Sequence, residues 1–198
     1  MPLTLILGGV RSGKSRWAEE LAGRCGLPIL YVATASPHDP VSGDTDTEMQ
    51  DRIRRHRSRR PPDWITLEEP SDVAGAVDGW CRRHGPPAAV LIDCLTLLLS
   101  NWLLAGEAAE DPQHAVDGLL PRVEATAERL AALPCPVFVV SNEVGWGIVP
   151  ERPLARAFRD LAGLANQIFA ARAQQVYVVW AGLPVEVSAL TARSHGAP

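Results

Sequence analysis

Short apolar runs recur along the chain, each separated from the next by a longer stretch in which apolar positions return every three or four residues. The runs are Leu3 to Leu7, Ile29 to Ala33, Ala89 to Asp93, Val137 to Ser141 and Val176 to Ala181, with a weaker one at Trp64 to Leu67. The stretches between them predict helices over Lys14 to Cys25, about Thr47 to Arg59, Ser71 to Arg83 with Ser71 as N-cap, Leu95 to Leu104, about His114 to Ala132, and Pro153 to Gln174. Runs without polar alternation are strands buried on both faces, so the pattern predicts an α/β fold: a mostly parallel sheet with helices on both faces. Polar stretches rich in Pro, Gly and Asp at 36–46 and 106–113 predict loops, and 194–198 a frayed end. No internal repeat or long linker interrupts the pattern, so a single domain over 1–198 is expected.

The same pattern bears on location. No apolar run approaches the roughly 20 residues that cross a bilayer. The opening run has no basic residues before it and is too short for the core of an export signal. Cys25, Cys81, Cys94 and Cys135 are widely spaced, with no pair or histidine placed to complete a zinc site. Reduced thiols in a cytoplasmic protein are expected.

Composition narrows the partners. The 198 residues are 46% apolar with a formal net charge of −4, enough apolar surface for a core and no excess of positive charge calling for nucleic acid. The basic residues are 18 arginines and one lysine, Lys14. That lysine sits in Gly8-Gly9-Val10-Arg11-Ser12-Gly13-Lys14-Ser15, which fits G-x-x-x-x-G-K-[ST] between a predicted strand and a predicted helix. In such a loop the backbone amides and the helix N-terminus surround phosphate oxygens, the lysine reaches the β- and γ-phosphates, and the serine hydroxyl ligates Mg²⁺. Asp93 ends an apolar run, where a P-loop protein carries the acid on the metal's side. There is no N-K-x-D stretch for reading guanine, which disfavours a switch GTPase.

A second candidate site is the segment Glu48 to Pro61, which opens acidic, becomes dense in arginine and stops at proline. On helical spacing His56 shares a face with Arg52, Arg59 and Arg60. Guanidinium groups there would attract phosphates, and their like charge would keep the imidazole neutral and nucleophilic. Thr34, Glu68 and Glu69 follow predicted strands and fall on the carboxyl edge, as does Ser141 to Gly147 with Trp146. These residues alone also allow a solvated basic face with an incidental histidine.

Taken together, the segments GGVRSGKS at 8–15, YVATA at 31–35, EMQDRIRRHRSRRP at 48–61, WITLEEP at 64–70, DCLTLLLSNWL at 93–103 and VSNEVGWGIVPERPLARAFRDLAGLANQ at 140–167 resemble the bifunctional adenosylcobinamide kinase/adenosylcobinamide-phosphate guanylyltransferase family of cobalamin biosynthesis. The 36–46 link is longer than is usual there, and 183–190 matches only loosely. The resemblance implies a P-loop NTPase with a RecA-like sheet, a homotrimer, and two reactions. A γ-phosphoryl group from ATP or GTP passes to the hydroxyl of adenosylcobinamide. GMP from GTP then passes through a covalent guanylyl-histidine, falling on His56, to the new phosphate. It also implies nucleotide-side roles for Thr34, Arg57, Arg60, Glu68 and Asp93, and nucleotide and corrinoid substrates with Mg²⁺. A regulatory or motor P-loop ATPase, a kinase without guanylyl transfer, and a nucleic-acid binder acting through the arginine helix remain the alternatives on the residues.

Overall fold

The computed structural model describes residues 3–36, 47–58, 60–105 and 111–190, without the side chains of residues 48, 49, 52 and 56. The apolar runs pair into one sheet. Its strands are β1 (Leu3–Gly8), β2 (Ile29–Ala33), β3 (Ile65–Glu68), β4 (Ala89–Asp93), β5 (Val137–Asn142), β6 (Gln175–Trp180) and β7 (Leu183–Glu186), in the order β3-β2-β4-β5-β1-β6-β7. All neighbours are parallel except β6 and β7. The α/β class and the mostly parallel sheet are as the pattern predicts.

Burial follows position in the sheet. In β2 and β4, Ile29 to Ala33 and Ala89 to Ile92 are buried, whereas edge strand β3 is half exposed. The helices are α1 (Lys14–Gly23), α2 (Thr47–Arg57), α3 (Val73–His84), α4 (Leu95–Ala105), α5 (Pro112–Ala131) and α6 (Pro153–Arg172). Alternate strand residues face opposite layers. Leu30, Val32, Val90 and Ile92 join Val77, Leu99, Val123 and Leu161 of α3 to α6. Ile29, Tyr31 and Leu91 join Ala18 and Ala22 of α1. Among the described residues no helix is long and apolar enough to cross a membrane.

Three expectations are corrected. The α3 cap is Asp72, whose carboxylate accepts from the Gly75 amide at 3.0 Å; the Ser71 hydroxyl instead donates to Glu69. α2 stops at Arg57, so Arg60 lies beyond the helix and shares no helical face with His56. The antiparallel β7 was not expected, because Leu-Pro-Val-Glu is short and contains a proline, a residue confined to sheet edges. The predicted loops at 36–46 and 106–113, and the 194–198 end, fall wholly or mostly outside the described residues.

Candidate functional site

Since β1 to β6 are parallel, Gly8, Ala33, Glu68, Asp93 and Asn142 all arrive at one edge of the sheet. β5 lies between β1 and β4, pairing Asn142 with Gly8 and Val140 with Asp93. The Glu143 amide donates to the Gly8 carbonyl at 3.2 Å, joining this edge across the strand ends.

The turn from β1 into α1 uses backbone that most side chains resist. Gly13 has φ 98°, and a Cβ there would lie 3.2 Å from the Gly182 Cα. A Cβ on Gly8 would run into the Ser12 side chain and stand 2.7 Å from the Val179 carbonyl. The Gly182 amide donates to the Ser12 carbonyl at 2.8 Å, so the turn joining β6 to β7 holds the loop from one side. α1 has no side-chain cap and no acid in its first turn. Its first amides and the positive end of its dipole are therefore left to an anion. Lys14 is 9% exposed and donates from Nζ to the Gly9 carbonyl at 3.2 Å, folded back along the loop. The Ser12 Oγ is buried without a hydrogen-bond partner among the described residues, as a group awaiting a phosphate oxygen would be. Val10 and Gly9 are exposed at the loop's crest, and Ser15 follows Lys14, half-buried in the first turn. Arg11 has φ 58°, the left-handed region.

Across β5 from this loop, Asp93 accepts a 2.7 Å hydrogen bond at Oδ2 from the Tyr31 hydroxyl. Thr34 is fully buried, and its Oγ1 both donates to the Cys94 carbonyl and accepts from the Cys94 amide, each at 2.8 Å. Thr34, expected on the nucleotide side, has its hydroxyl bonded to the backbone that carries Asp93. Asn101 adds a bond from Nδ2 to the Thr34 carbonyl at 2.9 Å. Burial, followed by the Asp93 charge, pushes the Cys94 thiol up to about 11. It stays protonated at neutral pH and offers no nucleophile there.

Glu68 and Asp93 both pair with Ala33, from opposite sides. Two strand spacings, about 10 Å, thus separate their backbones. Glu68 meets Arg57 at 3.7 Å, with both side chains exposed. Glu69 caps the start of α3, accepting from the Ser71 and Asp72 amides. Burial works to raise its carboxyl, and the Asp72 and Ser71 hydrogen bonds outweigh that and hold it below its usual value. Arg60 stacks on Tyr31, with Cζ 3.6 Å from the ring centroid, and Nη1 donates to Thr66 at 3.3 Å. His56 lies on α2 next to its last residue, but its side chain and that of Arg52 are outside the described residues, as is Arg59.

Sequence reasoning missed Tyr31, and it missed Thr96 and Asn166, which bond Asn142 and Ser141 behind the edge. Asn142 Nδ2 donates to Thr96 Oγ1 at 2.7 Å, Ser141 Oγ to Asn166 Oδ1 at 2.7 Å, and Asn166 Nδ2 to the Asn142 carbonyl at 3.2 Å. Their signal was present as polar residues at apolar-phase positions, Thr96 and Asn166 among the buried turns of α4 and α6. Among the described residues no cluster of three or more His, Cys, Asp or Glu side chains could hold a metal. Ser15 and Asp93 offer hard oxygen donors. That set fits Mg²⁺, which binds one or two protein oxygens together with nucleotide phosphates rather than a cage of protein ligands.

Residues 4–187 match the family described as cobinamide kinase / cobinamide phosphate guanyltransferase. The chain belongs to that family. The match takes in both the phosphate loop and the arginine-rich helix of this cobinamide kinase / cobinamide phosphate guanyltransferase family member. The bifunctional adenosylcobalamin biosynthesis protein CobP of Pseudomonas aeruginosa is 44% identical over 181 residues, covering 91% of this chain and 94% of the relative. The bifunctional adenosylcobalamin biosynthesis protein CobU of Salmonella typhimurium is 37% identical over 202 residues, covering 93% and 99%. Among solved structures the chain is similar to the RadB recombinase, with a TM-score of 0.49 and 19% identity over 89% of this chain and 73% of that one.

Proposed function

We propose that this chain phosphorylates adenosylcobinamide with ATP or GTP and then joins GMP from GTP to the new phosphate, in one cytoplasmic catalytic domain. The observation that carries this reading is the family match over residues 4–187, which includes both the phosphate loop and α2.

In the kinase step the amides of Gly9 to Ser15 and the Lys14 ammonium hold the β- and γ-phosphates. Val10 and Arg11 enter through their backbone, and Gly8 and Gly13 allow its close approach. The chain's part here is positioning and charge stabilisation, without a protein nucleophile. Ser15 and Asp93 would hold Mg²⁺, which when bound neutralises charge developing on the phosphate oxygens. Thr34 fixes the strand end that presents Asp93.

In the guanylyl step a His56 ring nitrogen attacks the α-phosphorus of GTP. The N–P bond forms, the bond to the bridging oxygen breaks, and pyrophosphate leaves. A phosphate oxygen of adenosylcobinamide phosphate then attacks the same phosphorus and frees the histidine, giving adenosylcobinamide-GDP. Arg57 ends α2 and Arg60 follows it, where their charge favours a nucleotide phosphate, and Glu68 orients Arg57. Self-association, which we take as the homotrimer, is supported by exposed apolar side chains beside the loop. Trp146 and Trp180 pack with ring centroids 5.2 Å apart yet remain mostly exposed, and Ile148 is 97% exposed.

The test is product analysis. Incubation with adenosylcobinamide, GTP and Mg²⁺ should give the phosphate first and the GDP derivative second, resolved by chromatography. Nucleotide hydrolysis with no modified corrinoid would favour the regulatory ATPase reading instead.

A further inference from the structure

Asp93 is tied to the neighbouring strand by a bond that neither reaction explains. Tyr31 pairs with Leu91 in the register of β2 and β4, and Asp93 lies two residues on, so both side chains stand on one face of the sheet. The Tyr31 hydroxyl reaches Asp93 Oδ2 at 2.7 Å, and the residue is 1% exposed. Its ring is covered by the Arg60 guanidinium at 3.6 Å, itself bonded to Thr66, and lies 6.5 Å from the Trp64 ring. A buried phenol needs a partner, and phenylalanine would serve a purely apolar position. The hydroxyl is the donor in this bond, and the carboxylate oxygen accepts.

We propose that Tyr31 is a positioning residue: its hydroxyl fixes the rotation of the Asp93 carboxylate for the nucleotide-bound divalent cation, and Arg60 seals that bond from water. This rests on Asp93 being the acid on the metal's side. A carboxylate held at one oxygen presents a single orientation to the cation, and partners of this kind set metal affinity by orienting the ligand.

The probe is Mn²⁺ in the presence of GDP, which has no γ-phosphoryl group to transfer, with binding read by electron paramagnetic resonance. Tyr31→Phe keeps the ring and its cover and should weaken Mn²⁺ binding roughly tenfold. Asp93→Asn should weaken it at least as much. In the kinase assay Tyr31→Phe should raise the Mg²⁺ needed for half-maximal rate by a similar factor, with kcat at saturating Mg²⁺ restored. A merely structural role would lower kcat at every Mg²⁺ concentration. Weakened binding in Asp93→Asn with unchanged binding in Tyr31→Phe overturns the positioning role alone. Unchanged binding in Asp93→Asn overturns the metal reading and the positioning role with it.

A second measurement needs no variant. The chain has two tyrosines, Tyr31 and Tyr177. In protein labelled with 3-fluorotyrosine, Mn²⁺ with GDP should broaden the Tyr31 fluorine resonance more strongly than that of Tyr177. Equal broadening, or none, contradicts the placement.

Discussion

Lys14 shows how one residue serves the resting site and the reaction. Free of ligand it is expected in solvent, yet it lies buried against the Gly9 carbonyl. The Gly9 carbonyl accepts from the ammonium in the place proposed for phosphate oxygens. Lys14→Met should keep the fold, since its stem packs the same way, and should slow phosphoryl transfer by at least about two orders of magnitude. Steady-state kinase rates beside a thermal unfolding curve check both halves. Asp93→Asn should raise the Mg²⁺ concentration required, because one charge fewer weakens a hard-cation site; a Mg²⁺ titration of the kinase rate reads it. Thr34→Val removes a hydroxyl that serves both the amide and the carbonyl of Cys94. Leaving those buried groups unmatched should cost about 1–3 kcal/mol, seen as a lower urea midpoint at unchanged slope.

At the scale of elements, the start of α3 separates two neighbouring residues by their jobs. Asp72→Ala should cost about 1 kcal/mol as the loss of a cap. Ser71→Ala, which removes an exposed hydroxyl that donates to Glu69, should stay within about 0.5 kcal/mol. Chemical denaturation of both variants makes the comparison. The distinction was not legible in the chain, where Ser71 and Asp72 are both good caps and spacing does not choose between them. β1, β2, β4, β5 and β6 were legible because strands buried on both faces must be apolar throughout. β7 was not, because four residues with a proline make no period. The phosphate loop was legible because its chemistry demands adjacent residues. The Tyr31 to Asp93 bond was hidden because its partners are 62 residues apart and meet only through strand pairing. Arg60 was misplaced because the helix ends at Arg57, two residues before the expected end at about Arg59.

At the scale of the molecule, the phosphate loop follows β1, and the end of α2, the helix carrying the histidine proposed for guanylyl transfer, meets the end of β3 through Arg57 and Glu68. If the exposed Trp146 and Trp180 face covers itself by self-association, light scattering coupled to size exclusion should give three times the 21.3 kDa chain. A monomer at micromolar concentration would leave that face to something else. The two chemistries are separable, since the loop needs no covalent intermediate and the histidine does. The most direct measurement is the intact mass of the protein after incubation with GTP and Mg²⁺, without corrinoid. The wild-type chain should gain one GMP, stable in alkali and labile in acid as a phosphoramidate is, with release of pyrophosphate, and His56→Asn should gain none while keeping much of its kinase rate. GMP retained by His56→Asn, or mapped to any residue other than His56, would contradict the account.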